Sequence, residues 1–153
     1  MLSTPRSLFR ALAIAEAVTW TLLIAALITR AATGFAPAVT IAGGIHGFVF
    51  LSYGATAILL AVNQRWKPGV AVVAIASAIV PYATVPMELW LDRTRRLDGP
   101  WRRESTDDPR DAGWIDRTMR WLLRNPVILV LLVVAAVAAL FTVLLILGPP
   151  GGK

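Results

Sequence analysis

Cysteine is absent from the 153 residues, histidine occurs once and tyrosine twice. Without a thiol there is no disulfide framework, no thiolate metal site and no cysteine nucleophile. A lone imidazole leaves too few ligands for the three or four that a metal requires, so neither a metal nor any other cofactor is expected. Charge is scarce as well. Only 16% of the chain is charged, against about 25% in a soluble domain, while 57% is hydrophobic and the mean hydropathy is +0.67. Acid is scarcer still outside one stretch. Asp92, Asp98, Glu104, Asp107, Asp108, Asp111 and Asp116 lie together, with nine of the fifteen basic residues, and leave only Glu16 and Glu88 elsewhere. A bilayer imposes this kind of segregation. The sequence pI near 11.1 is that of a nucleic-acid binder, but the arginines are mixed with acids and bracketed by apolar runs, so no nucleic-acid partner is expected.

What is present is a set of long apolar runs. About twenty residues at roughly 1.5 Å each cross a hydrocarbon core of about 30 Å, and four stretches qualify. They are 8–29, 39–62, 69–91 and 126–148. The first competes with a secretory signal, because Ala36-Pro37-Ala38 looks like a cleavage site. Its length, its internal Glu16 and the Arg30 that follows favour a retained span. The third holds Pro81 and Pro86, which predict a kink or local unwinding and leave open a run that re-enters without crossing. Between 94 and 125 the chain is hydrophilic, and 114–124 is amphipathic. Trp114 and Trp121 add aromatic weight there, with Arg117, Arg120 and Arg124 opposite Ile115, Met119, Leu122 and Leu123, as in an interfacial helix. Residues 148–153 read as a frayed tail. Alternating four spans leaves the orientation open, since charge near the first span and total loop charge point in opposite directions.

The chain centres on Gly43-Gly44-Ile45-His46-Gly47-Phe48. An imidazole and a carboxylate inside spans are expensive, and they mark either a proton or ion pathway or an interhelical hydrogen-bond network. The intramembrane polar set is Glu16, His46, Tyr53 and Glu88. Tyr53 is the hydroxyl expected on the imidazole, because His46, Phe50 and Tyr53 share a helix face. Counted from the 30–38 connection, Glu88 falls on the same half of the bilayer as His46 and pairs with Arg93. Gly43, Gly47 and Gly54 form a small-residue face for close helix packing, and Pro81 breaks the third run.

The block Gly43-Gly44-Ile45-His46-Gly47-Phe48-Val49-Phe50-Leu51-Ser52-Tyr53 resembles the G-x-x-H-G-x-x-F-x-x-Y signature of a small bacterial integral-membrane family, domain-of-unknown-function family 3817. Glu16-Ala17 resembles that family's first-span Glu-Gly pair, and Pro81-Tyr82-Ala83-Thr84 with Glu88 its third-span stretch. Ala17 and Ala83 stand where the family usually has glycine. The resemblance covers about 8–93 and implies a three-span unit with no assigned activity. The segment 94–125 and the span 126–148 lie outside it.

These readings converge on an all-α, multi-pass protein of a bacterial inner membrane, with four transmembrane helices and an interfacial helix. Its partners are the lipid bilayer and other membrane-protein subunits or further copies of itself. A non-enzymatic accessory or assembly subunit is the leading expectation. The alternative is a small homo-oligomeric transporter or channel linked to protons or cations through Glu16 and His46.

Overall fold

The computed structural model describes residues 4–147, so the expected tail at 148–153 lies outside the described residues. Helix α1 spans Pro5–Thr33. Thr4 caps it reciprocally with Ser7, Pro5 takes the first turn where its missing N–H is not needed, and Gly34 closes it at φ 74°, donating to Arg30 O at 2.8 Å. Helix α2, Pro37–Asn63, returns antiparallel to it. Their shared core holds Phe9, Ala13, Tyr53, Ala57 and Leu60, with the Phe9 and Tyr53 rings 5.1 Å apart. Gly43 meets Leu23 across this interface.

The third apolar run does not form one span. Helix α3 covers only Pro68–Ala76 and tightens into a 3₁₀ turn at Ser77–Ile79. Residues 80–83 are non-helical, Tyr82 sits at φ 65°, and helix α4 then runs over Thr84–Arg93. The contacts show the direction of each arm. Tyr53 OH donates to Ala74 O, Trp20 Nε1 donates to Ala78 O, and Tyr82 OH lies 3.3 Å from Thr21 Oγ1. The chain then descends along α1, with Thr84 Oγ1 donating to Ala13 O and Arg10 Nε to Glu88 Oε1. Asp92 takes Arg6 Nε at 2.7 Å and Arg10 Nη2 at 3.1 Å, and Asp98 takes Arg6. Trp66 Nε1 finally donates to Arg96 O, so the segments before α3 and after α4 meet at one end. This is a hairpin. Twelve residues from Pro68 to Ile79 rise about 18 Å, too little for a hydrocarbon core of about 30 Å.

Four spans therefore reduce to three helices long and apolar enough to cross: α1, α2 and α6, the last spanning Pro126–Leu147. The physical cause lies in residues 80–86. Pro81 and Pro86 lack donors, and an aromatic residue held at positive φ turns the backbone where a helix would continue. Helix α6 packs on α2, and a Cβ on Gly47 would meet the Phe141 ring at 3.1 Å. Gly47 is thus the glycine that close packing requires. Gly54 has nothing within 4 Å and opens instead onto an apolar groove of about 290 Å³ between α2, α3 and α6. Pro81 is exposed at the hairpin tip.

Residues 94–125 fold over the charged end of the bundle. Arg102 caps the last turn of α2, donating from Nε to Asn63 O at 2.5 Å and from Nη2 to Val62 O at 2.7 Å. Buried Asp111 is the hub of this cap. It accepts from Thr106 N and Thr106 Oγ1 at 2.7 and 2.8 Å and pairs with Arg65, Arg102 and Arg120. Helix α5, Trp114–Arg124, carries Met119 and Leu123 inward and leaves Trp114, Ile115 and Trp121 outward. Arg120 departs from the expected headgroup-facing stripe. It is buried and donates to Asp111 O at 2.6 Å, because a buried carboxylate recruits the nearest cation. Arg124 reaches Arg103 O, whereas Arg117 is exposed.

Two outcomes test this architecture. Since the native chain has no cysteine, single cysteines introduced at Lys67 and Arg95 should be labelled by an impermeant maleimide from the same face as one at Ser7. One at Phe35 should label from the opposite face; labelling of Lys67 and Arg95 positions from opposite faces would contradict the hairpin. The cap should also be acid-labile. Hydrogen bonds from Arg110 hold the Asp108 carboxyl well below the usual carboxylate range, and those from Thr106 hold Asp111 low. A depressed native value means the stabilisation is fully present above the ordinary aspartate value near 3.9 and is lost as pH falls through the native values. Tryptophan emission should shift in that acid window, and Asp111→Asn should show the shifted emission at neutral pH.

Candidate functional site

Glu16 follows Phe9 by seven positions, two helical turns, and Tyr53 follows His46 by the same step, so the two pairs form successive layers between α1 and α2. In the upper layer Glu16 is fully buried and His46 is 8% exposed. Thr19, one turn beyond Glu16, joins them. Its Oγ1 lies 3.0 Å from Glu16 O, 3.4 Å from Glu16 Oε2 and 3.1 Å from His46 Nδ1. His46 Nδ1 is itself 3.6 Å from Glu16 Oε2. The Trp20 ring lies 4.5 Å from the imidazole and Phe50 6.2 Å, which walls the group with aromatic carbon. Glu16 Oε1 has no hydrogen-bond partner among the described residues. A buried carboxylate oxygen without a donor is the most costly feature of the bundle interior.

The polar set expected from sequence is divided by the fold. Glu16 and His46 come together. Tyr53 belongs to the layer below, where its hydroxyl meets Ala74 O at 3.2 Å and Ser77 Oγ at 3.1 Å, and so it staples α3 to α2. The imidazole's hydroxyl partner is Thr19, which on sequence, like Ser52, Ser77 and Thr84, stands in no recognisable arrangement with the histidine. The available signal was its spacing of three from Glu16, which puts both on one helix face. Glu88 stands at the charged end, on the side away from the 30–38 connection, and its partner is Arg10 rather than Arg93. The depth count misplaced it because a straight span carries residue 88 across the membrane, whereas the hairpin brings it back. Among the other hydroxyls, Ser52 donates to Phe48 O within its own helix, and Ser77 donates to Ala74 O while meeting Tyr53, so neither reaches the imidazole.

The bridge through Thr19 makes a measurable difference. Thr19→Val keeps the shape and removes the hydroxyl, leaving the imidazole and carboxylate without a common partner. It should destabilise the detergent-solubilised protein by about 1–3 kcal/mol in thermal or denaturant unfolding. Thr40→Val, at an exposed position, should stay within about 0.5 kcal/mol.

A protein of Streptomyces coelicolor named "Putative membrane protein SCO5905" is 33% identical over 98 residues, covering 60% of this chain and 11% of the relative. The chain thus corresponds to about a tenth of that protein's length. No solved structure matches. The family described as "Domain of unknown function (DUF3817)" matches residues 6–93, from the Arg6 clamp to the last residue of α4. That match takes in α1, α2, the hairpin and the whole Glu16–Thr19–His46 group, and covers more than half of the sequence: the chain belongs to the DUF3817 family.

Proposed function

We propose that this membrane protein is a non-enzymatic accessory subunit that binds another membrane protein at the tip of the α3–α4 hairpin. The observation that carries the reading is the state of that tip. Arg10 and Arg30 stand about 30 Å apart on α1, the thickness of a hydrocarbon core, and Thr21, which contacts Tyr82, falls near the middle. Non-helical backbone at that depth is tolerated only where protein or a water-filled cavity covers it. Here Ile79, Val80 and Tyr82 are 66%, 56% and 45% exposed, and the Tyr82 amide donates to no backbone acceptor among the described residues. A neighbouring protein supplies the missing cover. Helix α6 and the groove beside Gly54 offer further apolar surface for the same kind of contact.

Charge sets the orientation within this proposal. Of the fourteen basic residues among those described, thirteen lie at the Arg6 end of the bundle and Arg30 alone at the other. The positive-inside tendency puts the Arg6 end, both arms of the hairpin and the 94–125 cap in the cytoplasm. The conflict between first-span and loop charges disappears once the third run turns back.

A second reading, a homo-oligomeric transporter or channel linked to protons or cations, draws its support from the unpartnered Glu16 Oε1. Purification at native level in mild detergent, with the intact mass determined, separates the two. The accessory reading expects a complex of fixed stoichiometry with a different membrane protein, and a photo-reactive side chain at Val80 that crosslinks to that protein while one at exposed Val127 does not. A homo-oligomer alone, with ion flux abolished by Glu16→Gln, would overturn it.

A further inference from the structure

Hydrogen-bond bookkeeping at Thr19 restricts how protons are arranged in the buried layer. A hydroxyl has one proton to donate and two lone pairs to accept with. Thr19 Oγ1 has three polar neighbours: Glu16 O at 3.0 Å, His46 Nδ1 at 3.1 Å and Glu16 Oε2 at 3.4 Å. Among the arrangements this allows, two differ in the protonation of Glu16. In the first, His46 carries its proton on Nδ1 and donates to Thr19, Thr19 donates to the Glu16 backbone carbonyl, and Glu16 is a carboxylate. In the second, Glu16 is a carboxylic acid that donates from Oε2 to Thr19. Thr19 has then turned its proton toward a bare His46 Nδ1, and the imidazole carries its hydrogen on Nε2. The two differ by one proton, and the second is completed by a small shortening of the 3.4 Å separation between Glu16 Oε2 and Thr19 Oγ1.

We propose that Glu16, Thr19 and His46 form a single internal site whose ligand is a proton, taken up through His46 Nε2 and stored on Glu16. The imidazole faces two ways. Nδ1 is turned to Thr19 and Glu16, while Nε2 has no partner among the described residues and belongs to a side chain that is 11% exposed, against 0% for Glu16. A proton arriving at Nε2 forms an N–H bond there. The Nδ1–H bond breaks as that hydrogen passes to Thr19 Oγ1, whose own hydrogen passes to Glu16 Oε2. The layer goes from one negative charge to none, and no other reactant is consumed.

The surroundings keep this exchange local. On α1 the nearest other charge is Arg10, which is occupied by Glu88 of α4. On α2 the titratable neighbour is Tyr53, tied to Ala74 O and Ser77 Oγ of the α3 arm. The described part of α6 has no ionisable residue. Among the described residues Glu16 therefore has no counter-ion while the imidazole is neutral. The site rests on neither functional reading above, since a proton can bind without being transported.

The single histidine makes the test direct. The intact protein labelled with ¹⁵N-histidine, in lipid nanodiscs, gives imidazole signals from His46 alone. Lowering the pH from about 8 to about 5 should exchange the Nδ1–H tautomer for the Nε2–H tautomer. The same change should raise an infrared carboxylic-acid carbonyl band that Glu16→Gln lacks. Glu16→Gln should also abolish the tautomer exchange, and Thr19→Val should weaken it at least tenfold in equilibrium population. One unchanging tautomer across that range, or an exchange that survives in Glu16→Gln, would overturn the proposal. Should the variants fail to fold, the wild-type nitrogen and infrared signals decide alone, and loss of ion flux in a separate assay would bear only on transport.

Discussion

A chain that reverses direction inside hydrocarbon must find partners for the peptide groups that its broken helix releases, and in this fold α1 meets one of them, Ala78 O, and holds the hairpin by side-chain hydrogen bonds at two further points. Three residues of α1 follow the hairpin through its turn. Trp20 donates to Ala78 O where the α3 arm tightens, Thr21 meets the Tyr82 hydroxyl at the tip, and Ala13 O accepts from Thr84 as α4 begins. Without that ladder the 3₁₀ turn and the following non-helical residues have no local reason to remain at depth. Helix α1 carries two duties on two faces, since its Glu16 and Thr19 point to α2 while its Ala13 and Arg10 hold α4.

The charged end fixes what this ladder begins. Arg6 and Arg10 grip Glu88, Asp92 and Asp98, and that grip draws the second arm of the hairpin back to the face from which the first departed. Glu88 is 3% exposed, so the pair it makes with Arg10 is partly desolvated and directional, even though Arg10 itself remains half open to solvent. At the same end of the bundle, Arg102 seals the end of α2 and Asp111 gathers three arginines around one carboxylate. Asp92, Asp98, Asp108, Asp111 and Asp116 are thus structural counter-charges rather than a soluble domain's surface. They let a strongly basic segment fold compactly against the membrane end of the bundle.

Helix placement was legible in the sequence because it depends on composition over twenty residues at a time. The runs at 8–29, 39–62 and 126–148 needed no tertiary information, and Pro5, Gly34, Pro37 and Pro126 mark their ends. The hairpin was legible only as an alternative. Two prolines permit a break, but whether the chain continues or returns depends on Arg6 and Arg10 finding Asp92 and Glu88 some 80 positions away. Such contacts have no local signature. The same gap hid the true partners of Glu88 and Arg120, both of which pair with residues that pattern alone put elsewhere. Thr19 was different. It stands one helical turn from Glu16 and could have been found from periodicity, yet a threonine in an apolar span ordinarily bonds its own backbone, and here it does that as well.

The conflict between local cost and global fit is sharpest at Glu16. An interhelical network that only fixed the register of α1 on α2 could be built from Thr19 and His46 without a carboxylate, because the hydroxyl and imidazole satisfy one another at 3.1 Å. Adding Glu16 brings a fully buried oxygen with no donor, and replacing buried charge by apolar packing is often neutral or stabilising. Packing therefore accounts for Thr19 and His46 but not for the acid. What the acid adds is a second resting place for a proton, beside an imidazole whose far nitrogen has no partner among the described residues. The layer that looks over-furnished as a structural bond has the number of donors and acceptors that a two-state proton site requires.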